Sequence, residues 1–114
     1  MLICKEGVGM EVKTIAVWEL QKEKAFKNIY IIDLREEEDY ANAHIEGAIN
    51  INSEEIFSQI SRFKKTDHLI LYCDRGNLSL LVGRALAEMG YYVITLAGGY
   101  DAYLEMKKWE KNKH

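Results

Sequence analysis

The sequence contains no proline and only two cysteines, Cys4 and Cys73. Without proline there is none of the rigid punctuation that marks an interdomain linker, and no repeat or low-complexity stretch divides the chain. Two thiols cannot build a disulfide framework, so the fold must rest on its core, and a reducing compartment is the simpler setting. Long hydrophobic runs are missing too. No stretch approaches the ~20 apolar residues of a membrane-spanning helix, and Met1 to Met10 lacks the apolar region of about 7–15 residues of a secretory signal. Nor is there a surplus of one charge: 15 basic against 18 acidic residues give a net of −3. That balance offers no footprint for nucleic acid or an anionic membrane. The expectation is a cytoplasmic protein with neither kind of partner.

What remains is a chain of 114 residues, one domain with enough length to bury a core without staples. The reading is a folded unit over 11–110 between tails at 1–10 and 111–114. Strand-like and helix-like segments alternate, which points to an α/β domain with a largely parallel sheet. A short strand is expected near Val12 to Ile15. A helix follows over Val17 to Phe26, with Val17, Leu20 and Trp18 read as facing inward. A buried strand spans Asn28 to Leu34, and a short helix spans Glu36 to Ala41. Next come a strand at Ala48 to Ile51 and a helix with Ser53 as N-cap that carries Ile56, Phe57, Ile60 and Phe63. Strand Leu69 to Tyr72, helix Ser79 to Met89, strand Tyr92 to Leu96 and a last helix from Tyr100 complete the pattern.

Cys73 stands out. It ends the continuous apolar run Leu69-Ile70-Leu71-Tyr72, as suits a strand covered on both faces, and opens Asp74-Arg75-Gly76-Asn77-Leu78-Ser79. The helix beyond has Leu80, Ala85, Leu86 and Met89 at helical spacings and stops at Gly90, a good C-cap. A thiol there meets the free N–H groups of the first turn and the positive end of the helix dipole, a setting that favours an anionic, nucleophilic sulfur. The bland alternative is an inert buried thiol. Cys4, in the N-terminal tail, is read as having no role, ahead of the alternative that it resolves a modified Cys73.

Two stretches resemble the rhodanese family. The first runs Asp33-Leu34-Arg35, then Glu36-Glu37-Glu38-Asp39-Tyr40, then His44-Ile45-Glu46-Gly47-Ala48, similar to the family's D-x-R, acidic-aromatic pair and H-I-x-G-A. The second is the Cys73 loop, similar to C-x-x-G-x-x-S, followed by Gly98-Gly99-Tyr100-Asp101-Ala102-Tyr103, similar to G-G-x-x-x-W. The likeness covers Ile15 to Tyr103. It departs at Ala43 (often Gly), Leu78 (often Arg) and Tyr103 (often Trp). The first and third concern packing, whereas Leu78 removes a side-chain contact to an anionic substrate.

The resemblance implies a three-layer α/β domain with a central, mainly parallel five-stranded sheet, the Cys73 strand in the middle. It also implies sulfurtransferase activity, in which a Cys73 persulfide carries sulfur from a small-molecule donor such as thiosulfate to cyanide or a thiol. In that reading Cys73 is catalytic, and Asp74, Arg75, Gly76, Asn77, Leu78 and Ser79 bind substrate. Asp33 and Arg35 are read as structural, tying strand ends and loops together next to the site. The chemistry needs no metal and no organic cofactor. Arg75 is the one cation of the loop and can meet a sulfonate or carboxylate; its alternative is a solvated surface residue.

Other readings stay in view. A persulfide carrier in a sulfur relay would take sulfur from a desulfurase and hand it to a biosynthetic partner protein, with slow thiosulfate turnover where an enzyme reaches about 1–10³ s⁻¹. A cysteine-dependent phosphatase or arsenate reductase would need an arginine where Ser79 stands. His44 is read as a turn residue bonded to backbone, and Glu36 to Asp39 as a solvated helix start despite their ligand chemistry. Gly98-Gly99 lacks the rest of a phosphate-binding fingerprint. Tyr100, Tyr103 and Trp109 are read as packing.

Overall fold

The computed structural model describes residues 12–26 and 28–112. Cys4 and the expected tail at 1–10 lie outside them. The elements are β1 (Lys13–Ile15), a 3₁₀ turn (Val17–Glu19) running into α1 (Leu20–Glu23), β2 (Ile29–Asp33), α2 (Glu37–Asn42) and β3 (Ala48–Asn50). They continue with α3 (Ile56–Gln59), extended by a 3₁₀ turn (Ile60–Arg62), β4 (His68–Tyr72), α4 (Asn77–Glu88), β5 (Tyr92–Leu96) and α5 (Gly99–Asn112).

The strands form one sheet in the order β1-β5-β4-β2-β3, and every pairing is parallel. β4 is therefore central, paired with β2 through Asp33 opposite Tyr72 and with β5 through Leu71 opposite Thr95. Because side chains alternate along a strand, each central strand feeds two cores. Ile32, Leu69, Leu71 and Val93 point to one face, where Ile56 and Ile60 of the α3 segment and Val82 and Leu86 of α4 cover them. Ile31, Ile70, Tyr72 and Ile94 point to the other, under Val17, Leu20 and Tyr100. The result is three layers with the sheet in the middle. Buried on both sides, β4 reads as an unbroken apolar run, not as an alternation.

The C-terminus of α4 follows the expected device. Gly90 takes φ of +100°, and its N–H donates to Ala87 O while the Tyr91 N–H donates to Leu86 O, which is the Schellman pattern. The inner stripe of α4 is Ser79, Val82, Gly83, Leu86 and Ala87.

Several expectations are corrected. Trp18 does not face inward; it is 75% exposed. The segment opens as a 3₁₀ turn, in which residues three apart eclipse, so Val17 and Leu20 share the inner side and Trp18 falls outside. Phe57 is likewise 44% exposed, because Ile56 and Ile60, one turn apart, hold the line toward the sheet. Ser53 is not the cap. Asn52 Oδ1 accepts from the N–H groups of Glu54 and Glu55, an Asx turn that delays the helix to Ile56. On β2, Tyr30 is exposed at 42%, so that strand is buried only toward its C-terminal end.

These burial differences predict a stability contrast. Leu71→Ala, at a site with no exposure, should cost about 2–5 kcal/mol. Trp18→Ala should stay within about 0.5 kcal/mol of the parent. Urea unfolding of both variants checks this, and equal losses would contradict the assignment of faces.

Candidate active site

Cys73 follows the last residue of β4, at the carboxyl end of the sheet where loops of an α/β fold collect. Its side chain is 5% exposed. The chain then turns back through Gly76, whose φ of +106° is a conformation that side chains resist. This turn aims backbone donors at the sulfur: the Gly76 N–H reaches Sγ at 3.2 Å and the Ser79 N–H at 3.3 Å. Ser79 is fully buried, and its hydroxyl donates to Gly76 O at 3.1 Å, closing the loop on itself. The first turn of α4 starts here, and the Ser79 N–H, which has no carbonyl partner within the helix, is satisfied by the sulfur.

The loop's carbonyls are held from outside. Tyr100 N–H donates to Cys73 O at 2.8 Å and Asp101 N–H to Asp74 O at 2.9 Å, so the N-terminus of α5 grips the loop. That approach is close enough to require Gly99. A Cβ there would stand 2.4 Å from Cys73 O and 2.8 Å from Asp74 C and O. The Gly98-Gly99 pair thus serves backbone contact within the protein, with the first N–H groups of α5 already engaged.

Beneath lies a charged cluster. Asp33, fully buried, accepts the Arg35 N–H at Oδ1, the Arg35 Nε at both oxygens and Nη2 at Oδ2. The Tyr72 hydroxyl also donates to Oδ2, at 2.5 Å. Arg35 further donates to Ala43 O at 2.6 Å, and its guanidinium lies 4.2 Å from the centre of the Tyr100 ring. Burial opposes the charge on Arg35, but the hydrogen bonds and charge of Asp33 outweigh it, and its pKa is raised. Burial, followed by the bond to Asp33, raises the pKa of Tyr72.

The expected site residues divide accordingly. Cys73, Asp74, Arg75, Asn77 and Leu78, joined by Asp101, line an open depression of about 500 Å³. Gly76 and Ser79 are not in its lining and meet the sulfur through their N–H groups. Arg75 is exposed, with Nε 3.4 Å from Asp101 Oδ2. Asp33 and Arg35 sit behind the loop, linked to it by Tyr100. His44 stacks on Tyr40 at 3.8 Å, and its Nδ1 lies 2.8 Å from Tyr40 O, the backbone-bonded turn residue that was expected. Glu36 to Asp39 are exposed at the start of α2, and among the described residues no group of metal-ligating side chains lies together. Sequence reading missed Tyr72, Tyr100 and Asp101 as parts of this site. The available signal was Gly-Gly before a helix, which permits close backbone approach.

A family model for the rhodanese-like domain matches residues 16–106. The chain belongs to the rhodanese-like family. Among rhodanese relatives, it is 31% identical over 94 residues to the thiosulfate sulfurtransferase GlpE of Shewanella oneidensis, covering 82% of this chain and 93% of that protein. It is 30% identical over 95 residues to the putative sulfurtransferase YtwF of Bacillus subtilis, covering 82% and 92%. In three dimensions it is similar to a rhodanese-like domain protein from Staphylococcus aureus, with a TM-score of 0.73 and 27% identity, covering 80% of this chain and 90% of that one. The rhodanese-like assignment agrees with the observed strand order and with the central place of the cysteine strand.

Tyr72→Phe tests the cluster beneath the loop. It leaves the fully buried Ile45 N–H, which donates to the Tyr72 hydroxyl at 3.1 Å, without a partner, for a loss of about 1–3 kcal/mol. Since the folded pKa of Tyr72 is raised, the hydroxyl's contribution is complete below the unfolded value near 10 and is lost as pH climbs above it. The stability gap between parent and Tyr72→Phe should therefore be constant from neutral pH to about 10 and shrink at higher pH. Denaturant titrations across that range measure it, and a gap that widens instead would refute the arrangement.

Proposed function

We propose that the protein is a sulfurtransferase that carries a sulfane sulfur as a persulfide on Cys73. The observation behind this reading is the pair of N–H groups, from Gly76 and Ser79, directed at a lone sulfur at the end of the central strand. Such fixed donors stabilise an anionic sulfur before and after it accepts another. Family membership and the sulfurtransferase relatives support the activity class.

The cycle is ping-pong. The Cys73 thiolate attacks the outer sulfur of a donor such as thiosulfate or a persulfide, and a new S–S bond forms at Sγ. The donor's own S–S bond breaks and its electron pair leaves with sulfite or with the donor thiolate. A thiophilic acceptor, cyanide or a thiol, then removes the outer sulfur and restores the Cys73 thiolate. The electron pairs come from the attacking Cys73 thiolate and then from the acceptor, so the scheme calls on no metal or organic cofactor. Asp74 to Ser79 form the substrate-binding loop, with Arg75 available to an anionic donor, and Asp33 and Arg35 hold it in position through Tyr100. A free thiol of this kind suits a reducing, cytoplasmic setting. No helix among the described residues is long and apolar enough to cross a membrane.

Excess thiosulfate should add one sulfur atom to the intact mass and release sulfite, and Cys73→Ser should abolish both while leaving the unfolding curve near the parent's. Sulfur transfer that persists in Cys73→Ser would sink the assignment.

The same loop argues against phosphoryl transfer. Ser79, where a cysteine phosphatase needs arginine, is buried with its hydroxyl turned onto Gly76 O. Arg75 sits on the exposed rim beside Asp101. Loss of one such donor typically costs ~10²–10³ in rate. Hydrolysis of an aryl phosphate should be undetectable in a preparation that transfers sulfur, and Cys73-dependent hydrolysis at a comparable rate would reopen the phosphatase reading.

A further inference from the structure

The charge around the depression points to a donor class. Its rim holds two carboxylates, Asp74 and Asp101, with side chains 64% and 58% exposed. It holds one cation, Arg75, 83% exposed and 3.4 Å from Asp101. An exposed pair of this kind is weak and opens easily, but opening it only moves charge within the rim. Two carboxylates against one guanidinium leave one negative charge in excess, whichever way Arg75 points. The nearest other guanidinium does not correct this. Arg35, with its side chain 6% exposed, is committed to Asp33 and Ala43 O and comes no nearer Asp74 Oδ1 than 3.9 Å. The other exposed rim residues, Asn77 and Leu78, carry no charge, and Leu78, at 41%, is apolar. A reacting thiolate adds a further negative charge at the centre.

Resting on the sulfurtransferase reading, we infer that the site selects an organic persulfide whose leaving thiol is neutral or cationic over the dianion thiosulfate. The Cys73 thiolate attacks the outer sulfur of R–S–SH and forms the Sγ–S bond. The donor's S–S bond breaks, and its electron pair leaves with the inner sulfur as R–S⁻, which takes a proton from solvent. The transferred sulfur keeps its own proton. Cys73 sulfur is oxidised and the donor's inner sulfur is reduced, so no outside oxidant enters. Compared with thiosulfate, such a donor brings less negative charge to a rim already in excess of it, and its organic part meets Leu78.

The test compares cysteamine persulfide, mercaptoacetate persulfide and thiosulfate as donors to the full chain. Cys73 loading is followed by intact mass and by initial rate. At low salt, kcat/KM should fall in that order, by ~3–10-fold per step. Raising ionic strength from about 0.01 to 1 M, which shortens the Debye length from about 30 to 3 Å, should bring the three together, chiefly by improving thiosulfate. Asp101→Asn, checked for an unchanged unfolding curve, should narrow the low-salt spread. A basic peptide bearing a cysteine persulfide separates the sources. A peptide faster than cysteamine persulfide assigns a protein donor, a slower one a free small persulfide, and either agrees with the charge rule. Thiosulfate or mercaptoacetate persulfide loading Cys73 faster than cysteamine persulfide at low salt would overturn the inference while leaving the sulfurtransferase reading intact. No loading from any donor would overturn both.

Discussion

The carboxylate of Asp33 is the constraint around which the rest is arranged. It is an ion with no solvent contact, a placement that costs several kcal/mol unless charge and hydrogen bonds offset it. The offset comes from Arg35, which bonds it through backbone and side chain, and from the Tyr72 hydroxyl. Each partner belongs to a different part of the chain. Tyr72 ends the central strand one residue before the thiol, and Arg35 leads out of the neighbouring strand. Arg35 also reaches Ala43 O beyond α2 and the ring of Tyr100 in α5. Once the charge is buried, these pieces have little freedom to sit elsewhere, because removing either partner strands the other.

The loop above inherits that rigidity. Arg35 stacks on the same residue whose N–H bonds Cys73 O. Asn50, at the end of β3, donates to both Asp33 O and Arg35 O. The carbonyls of Cys73 and Asp74 thus face α5, while the N–H groups of Gly76 and Ser79 face the sulfur. A glycine at 76 permits the turn and a glycine at 99 permits the approach. The chemistry of the site is in this way mostly backbone chemistry.

That explains what could be read in advance. The central strand was legible because burial on both faces leaves an unbroken apolar run over Leu69 to Tyr72, and the strand over Tyr92 to Leu96 lies where it was expected. Gly90 was legible as a helix stop because positive φ has few other tenants. Cys73 was legible because its place between an apolar run and a glycine turn is a local pattern. Trp18 and Phe57 were not, since hydrophobicity says that a side chain gains from burial and nothing about a 3₁₀ start that rotates it outward. Ser53 lost the cap to Asn52, an equally good candidate one position away, and only the path of the chain from β3 decides between them. Tyr100 and Asp101 act at the loop through main-chain N–H groups, which every residue possesses, so composition carries no trace of it. Asp33 and Arg35 lie behind the loop, and their hydrogen bonds to each other, to Tyr72 and to Ala43 O are what hold them there, a network reaching residues distant in sequence that no local pattern announces.

The grip of Tyr100 and Asp101 on the cysteine loop also makes the shape of that loop conditional on a helix. Their N–H groups bond the carbonyls of Cys73 and Asp74 only while the start of α5 is docked against the carboxyl end of the sheet. A change that shifts α5 therefore reaches the backbone around the sulfur without altering a single residue of the loop.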